Sequence, residues 1–160
     1  MRSTRVVLAD DDVLLREGLA VLLQSAGFDV VGKARDASEL LELVHGERPD
    51  VAIVDVRMPP THTTEGLQAA RQIREELPET TILVLSAHIE VEHAMELLGG
   101  GRGIGYVLKT RVTDVEEFTQ TLERVVAGGS VVDPELVERL VNARRAHDPL
   151  APNTVSRGVG

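Results

Sequence analysis

The chain has no cysteine, which removes thiolate nucleophiles, thiolate metal sites and disulfides at once. Aromatic residues are almost as scarce. Phe28, Phe118 and Tyr106 are the whole set, so any core must be aliphatic. No apolar run approaches the ~20 residues that a membrane helix needs. The N-terminus enters a strand pattern without the apolar segment of a signal peptide, so the expected compartment is the cytoplasm, with no membrane contact. The formal net charge of −9 argues against a grip on nucleic acid by these residues themselves. Lysine occurs only as Lys33 and Lys109.

What the chain does contain is an alternation of strand and helix patterns, and 160 residues suffice for one domain with a full core. The spacing predicts a strand over Arg5–Ala9, then a helix over Val13–Ala26 with Leu14, Leu15, Leu19, Leu22 and Leu23 turned inward. Phe28–Lys33 reads as the second strand. Asp36 and Glu39 form a capping box for a helix lined by Leu40, Leu41, Leu43 and Val44. Val51–Val54 is a third strand without polar interruption, as a strand covered on both faces should be. A helix from about Glu65 to Leu77 stops at Pro78. Ile82–Leu85, Val91–Leu98 and Ile104–Leu108 read as strand, helix and strand. Thr113 and Glu116 form a second capping box, for a helix carrying Val115, Phe118, Leu122, Val125 and Val126. Beyond Gly128-Gly129, Asp133 and Pro134 start an extra helix striped by Leu136, Val137, Leu140 and Val141. Strands joined by helical crossovers imply a parallel sheet with right-handed connections.

Polar chemistry gathers where the apolar runs stop. Asp10-Asp11-Asp12 follow the first strand, Asp55 the third, Ser86 the fourth and Lys109 the fifth. In a parallel sheet these ends share the edge where ligands bind. Carboxylates in one place resist ionisation unless a cation sits among them. All-oxygen ligands suit a hard cation such as Mg²⁺. Each residue also has a plainer role open to it. Asp12 fits best as a helix N-cap, and Asp10 and Asp11 could be solvated loop acids. Ser86 could bond local backbone, Tyr106 could be a half-buried aromatic, and Lys109 a loop lysine.

The stretches Leu8-Ala9-Asp10-Asp11-Asp12, Asp55-Val56-Arg57-Met58-Pro59, Ser86-Ala87 and Tyr106-Val107-Leu108-Lys109, in this order and spacing, resemble the receiver domain of two-component response regulators. The resemblance covers roughly residues 4 to 128 and looks most like the subfamily that carries a LuxR-type helix-turn-helix. It implies an α/β, flavodoxin-like (βα)5 three-layer sandwich, with a five-stranded parallel sheet in the order 2-1-3-4-5 and an extra C-terminal helix. It also implies Asp55 as phosphoacceptor, phosphorylated by a sensor histidine kinase. Asp11 would ligate Mg²⁺ directly, Asp10 through water, and Asp55 and the Arg57 backbone carbonyl would complete the protein ligands. Ser86, Tyr106 and Lys109 would bind the phosphoryl group or switch in response to it. Arg57 and His88 would border the attacking water and tune the lifetime of the phosphoryl group.

A haloacid-dehalogenase-like phosphatase also resembles this use of an aspartyl nucleophile with Mg²⁺. Such enzymes carry a second Asp two residues on, where this chain has Arg57. The expected chemistry is therefore that of a phosphoacceptor, not of a turnover enzyme. The expected organisation is a receiver over residues 1–128, a linker helix over 129–147 and a disordered tail over 148–160. No output domain is expected within the chain, so DNA would be contacted only through a domain outside it. A stand-alone interaction receiver without DNA output is the other alternative, and a homodimer is left open.

Overall fold

The computed structural model describes residues 3–99 and 102–147. The expected disordered tail over 148–160 lies outside the described residues, as does the middle of the Gly99–Gly103 loop. The chain alternates β1 (Arg5–Ala9), α1 (Val13–Ser25), β2 (Asp29–Ala34), α2 (Ala37–Glu47), β3 (Val51–Asp55), α3 (Glu65–Glu76), β4 (Thr81–Ser86), α4 (Val91–Leu98) and β5 (Ile104–Leu108). A 3-10 turn (Lys109–Thr113), α5 (Val115–Val126), β6 (Ser130–Val132) and α6 (Pro134–His147) follow. The strands form one parallel sheet in the order β2-β1-β3-β4-β5-β6.

The period of two along each strand divides the core. In β1, Val6 and Leu8 pack with Leu19 and Leu23 of α1 and with Phe118, Leu122 and Val125 of α5. Val7 and Ala9 face the other way, toward Leu40 and Val44 of α2, Ile73 of α3 and Leu97 of α4. This is the three-layer arrangement expected for continuous apolar strands. Each fully buried leucine or isoleucine contributes about 1.5–3 kcal/mol. Among the described residues, no helix is long and apolar enough to cross a membrane.

Four details differ from the sequence expectations. The sheet has a sixth strand where a linker helix over 129–147 was expected. Three residues are too few to show a period, yet β6 pairs Ile104 with Ser130 and Tyr106 with Val132, and so occupies backbone groups that the edge of β5 would otherwise leave open. On α1 the buried stripe is Arg16, Leu19, Ala20 and Leu23; Leu14 is 84% exposed and Leu22 38%. Arg16 takes an inward position because its guanidinium donates to the Asp10 carbonyl at 2.9 Å. The cap of α5 is Asp114, which accepts the Glu117 N–H at 3.1 Å, because Thr113 belongs to the preceding 3-10 turn. On α6 Leu136 is buried, whereas Val137 and Val141 face outward.

Candidate functional site

The registers that pair Ala9 with Val54, Asp55 with Leu85, and Ser86 with Leu108 bring the C-terminal strand ends to one edge. Asp10 leaves β1 there, 2% exposed, with its N–H on the Ala34 carbonyl at 3.0 Å. Its Oδ1 accepts the Asp12 N–H at 2.9 Å, which turns the chain into α1. Asp12 is the N-cap of that helix, accepting the Leu15 N–H at 3.2 Å. Asp55 ends β3, 4% exposed, and its Oδ1 accepts the Arg57 N–H at 3.4 Å. Asp11 is half-buried, with Oδ2 2.9 Å from Nε2 of His62.

One oxygen from each of Asp10, Asp11 and Asp55 lies within 4.8 Å of the others. Lys109 Nζ is 3.2 Å from Oδ2 of Asp10 and 3.2 Å from Oδ2 of Asp55. Burial, reinforced by the Asp10 charge, pushes the Asp55 carboxyl up to about 6 despite Lys109. Burial alone would lower the Lys109 ammonium, but Asp55 and Asp10 outweigh it and hold the group above its ordinary range. One ammonium does not neutralise three carboxylates. An all-oxygen donor set of this span, with that excess of negative charge, fits a hard divalent cation.

Of the remaining expected residues, Ser86, Tyr106 and Arg57 make their side-chain bonds elsewhere. Ser86 is buried, and its hydroxyl donates to the His88 carbonyl and accepts the His88 N–H at 3.3 Å. Its bonds are therefore local. Tyr106 is fully buried, more so than the half-buried aromatic considered from sequence, and its hydroxyl lies 3.3 Å from the Glu90 N–H and 3.5 Å from the His88 carbonyl. The Arg57 guanidinium points to Glu90, and the His88 side chain is exposed.

Two residues escaped the sequence reading. His62, in the loop after β3, reaches Asp11 from 51 positions away, and no spacing could announce that. Gly66, in the first turn of α3, donates to the Val56 carbonyl at 2.9 Å. A Cβ there would stand 1.8 Å from the Asp55 carbonyl oxygen, so only glycine lets α3 approach the acidic strand end. Its signal was visible as a glycine inside a helical pattern.

A family model described as the response regulator receiver domain matches residues 6–123. The probable transcriptional regulatory protein NarL of Mycobacterium tuberculosis is 38% identical over 153 residues, covering 94% of this chain and 68% of its own length. The oxygen regulatory protein NreC of Staphylococcus haemolyticus is 34% identical over 139 residues, 86% of this chain and 62% of that protein. The chain thus spans about three fifths of the length of curated relatives such as NreC. Among solved structures, a LuxR-family two-component response regulator from Aurantimonas sp. SI85-9A1 superposes with a TM-score of 0.77 at 28% identity, covering 89% of this chain and 99% of that one. The match over the strand-end motifs and the likeness of fold meet in one conclusion: this chain belongs to the response regulator receiver domain family, the phosphoacceptor module of two-component signalling.

Proposed function

We propose that Asp55 accepts a phosphoryl group from a sensor histidine kinase and that Ser86, Tyr106 and Lys109 read the new charge. The observation that carries this reading is the Lys109 ammonium, 3.2 Å from one oxygen of Asp55 and 3.2 Å from one of Asp10. It stands where a phosphoryl oxygen on Asp55 needs a counter-charge. An oxygen of Asp55 attacks phosphorus in line; the O–P bond forms as the P–N bond to the kinase histidine breaks, and the electron pair leaves with the imidazole. Lys109 follows the oxygen whose charge grows. Ser86 exchanges its His88 bond for a phosphoryl oxygen, and Tyr106, bonded beside the same carbonyl, repacks with it. Asp10, Asp11, Asp55 and the Arg57 backbone carbonyl would hold Mg²⁺, which supplies neutralisation of phosphoryl charge when bound.

The chemistry is self-catalysed phosphorylation and dephosphorylation, without the turnover of an enzyme on a separate substrate. Arg57 and His88 border the approach of water and set the lifetime of the acyl phosphate. Residues 1–128 form the receiver, and the segment 129–147 leads toward an output that controls transcription through a DNA-binding domain; a homodimer is compatible with this reading. Acetyl phosphate with Mg²⁺ provides the direct test. Wild type is expected to gain one phosphoryl group by intact mass, and Asp55→Asn none. A full adduct on the Asn variant would end the reading.

A further inference from the structure

Asp133 is a fully buried carboxylate (0% exposed) between β6 and α6, past residue 123, where the family match ends. Capping α6 takes one acceptor, and Oδ1 provides it to the Glu135 N–H at 2.9 Å. The other polar groups of the residue go to the end of β5. The Asp133 N–H donates to the Tyr106 carbonyl at 2.8 Å, continuing the ladder that pairs Tyr106 with Val132. Oδ2 accepts the Leu108 N–H at 2.9 Å. Arg111 then clamps both oxygens, Nε to Oδ2 at 2.9 Å and Nη2 to Oδ1 at 2.8 Å.

The groups held by Asp133 belong to residues 106, 108 and 111, and Lys109 lies among them. One bond fixes the backbone N–H of Leu108, the residue before the lysine. The forked pair fixes the turn just after it, and a bidentate pair sets orientation as well as distance. A lysine on a four-carbon stem keeps its ammonium on two carboxylates only if its backbone origin stays put. We propose that Asp133 is a positioning residue for Lys109, which makes the β6–α6 extension part of the phosphoacceptor unit. The inference rests on the reading of Asp55 as acceptor and Lys109 as its counter-charge. On this view α6 also senses the site, because whatever moves Lys109 pulls on the residue that caps this helix.

The test uses the full chain and acetyl phosphate with Mg²⁺ at saturation. Asp133→Ser retains a good cap but has no second oxygen for Leu108 and Arg111. Val44→Ala, buried on α2 and remote from β5, controls for lost stability alone. Labelling of Asp55 is expected to slow on the order of tenfold in Asp133→Ser, as a misplaced group costs, and to keep the wild-type rate in Val44→Ala. With only two lysines in the chain, the Lys109 side-chain methylene signal can be followed directly by NMR. It is expected to shift in Asp133→Ser alone, while Lys33, paired with Glu17 at 2.7 Å, stays in place in both variants. A wild-type rate and an unmoved Lys109 signal in Asp133→Ser would reduce Asp133 to a cap and leave the Asp55 reading intact. Labelling of Asp55→Asn would instead overturn that reading. If Asp133→Ser does not fold, Arg111→Gln breaks the same fork from the partly exposed side; slowed labelling supports the proposal and an unchanged rate overturns it.

Discussion

The Arg57 guanidinium lies 2.5 Å from Oε1 of Glu90, joining the loop after β3 to the residue that opens α4. The Glu90 N–H is in turn 3.3 Å from the Tyr106 hydroxyl. A side chain two residues past Asp55 is thus tied to the residue whose N–H meets the buried tyrosine. Half-exposed pairs of this kind add at most about 1 kcal/mol, so the effect of the tether is positional.

Arg57, held by Glu90, and His88, two residues past Ser86, are both bulky, and neither carries a carboxylate or amide to orient water. Slow self-dephosphorylation is therefore expected of the wild type. The double variant Arg57→Asn/His88→Glu should lose its phosphoryl group faster, as followed by decay of the phosphorylated form. Equal decay would show that shielding by these side chains does not set the lifetime.

Within the acidic triplet the roles should separate by substitution. Asp12→Ala removes the cap of α1 and should cost about 1 kcal/mol of stability while leaving Mg²⁺ affinity near wild type. Asp11→Ala should weaken Mg²⁺ binding with little change in stability. Metal titrations paired with urea melts would distinguish these patterns, and equal loss of affinity in both variants would contradict the assignment.

Gly66→Ala places a methyl group 1.8 Å from the Asp55 carbonyl oxygen. Backbone on both sides leaves no side chain to give way, so a loss of about 1–3 kcal/mol or more is expected. The displaced strand end should also slow labelling by acetyl phosphate. A melt indistinguishable from wild type would show that α3 can retreat freely from the site.

Acid unfolding should report Asp133. Burial would raise its carboxyl, but Arg111 and the N–H groups of Leu108 and Glu135 outweigh burial and hold it below the usual range. A depressed folded value means the contribution is complete above about pH 4, the unfolded value, and is lost as pH falls through the folded one. Asp133→Asn should therefore be less stable at neutral pH and show a flatter decline below about pH 4. Glu117 and Glu135, which also act on Arg111, remain in the variant as a constant background. Parallel urea midpoints across that range are the measurement, and matching slopes would count against the assignment.

The sequence by itself determined the layered order and the acidic edge. Val51–Val54 and Ile82–Leu85 lie in strands covered on both faces, and such strands carry no polar residue until they end. For that reason Asp10, Asp55, Ser86 and Lys109 are legible as one edge from the order of residues alone. Periodicity also placed every helix, but it could not say how wide a buried face would be. Five leucines on α1 exceed the stripe that the sheet covers, so Leu14 and Leu22 face outward while Arg16 turns in. β6, the Arg57–Glu90 tether, the reach of His62 to Asp11 and the Asp133 clip belong to tertiary structure alone. Each joins groups far apart in sequence, and such pairs form only once the packed layers have fixed where the loops and strand edges meet.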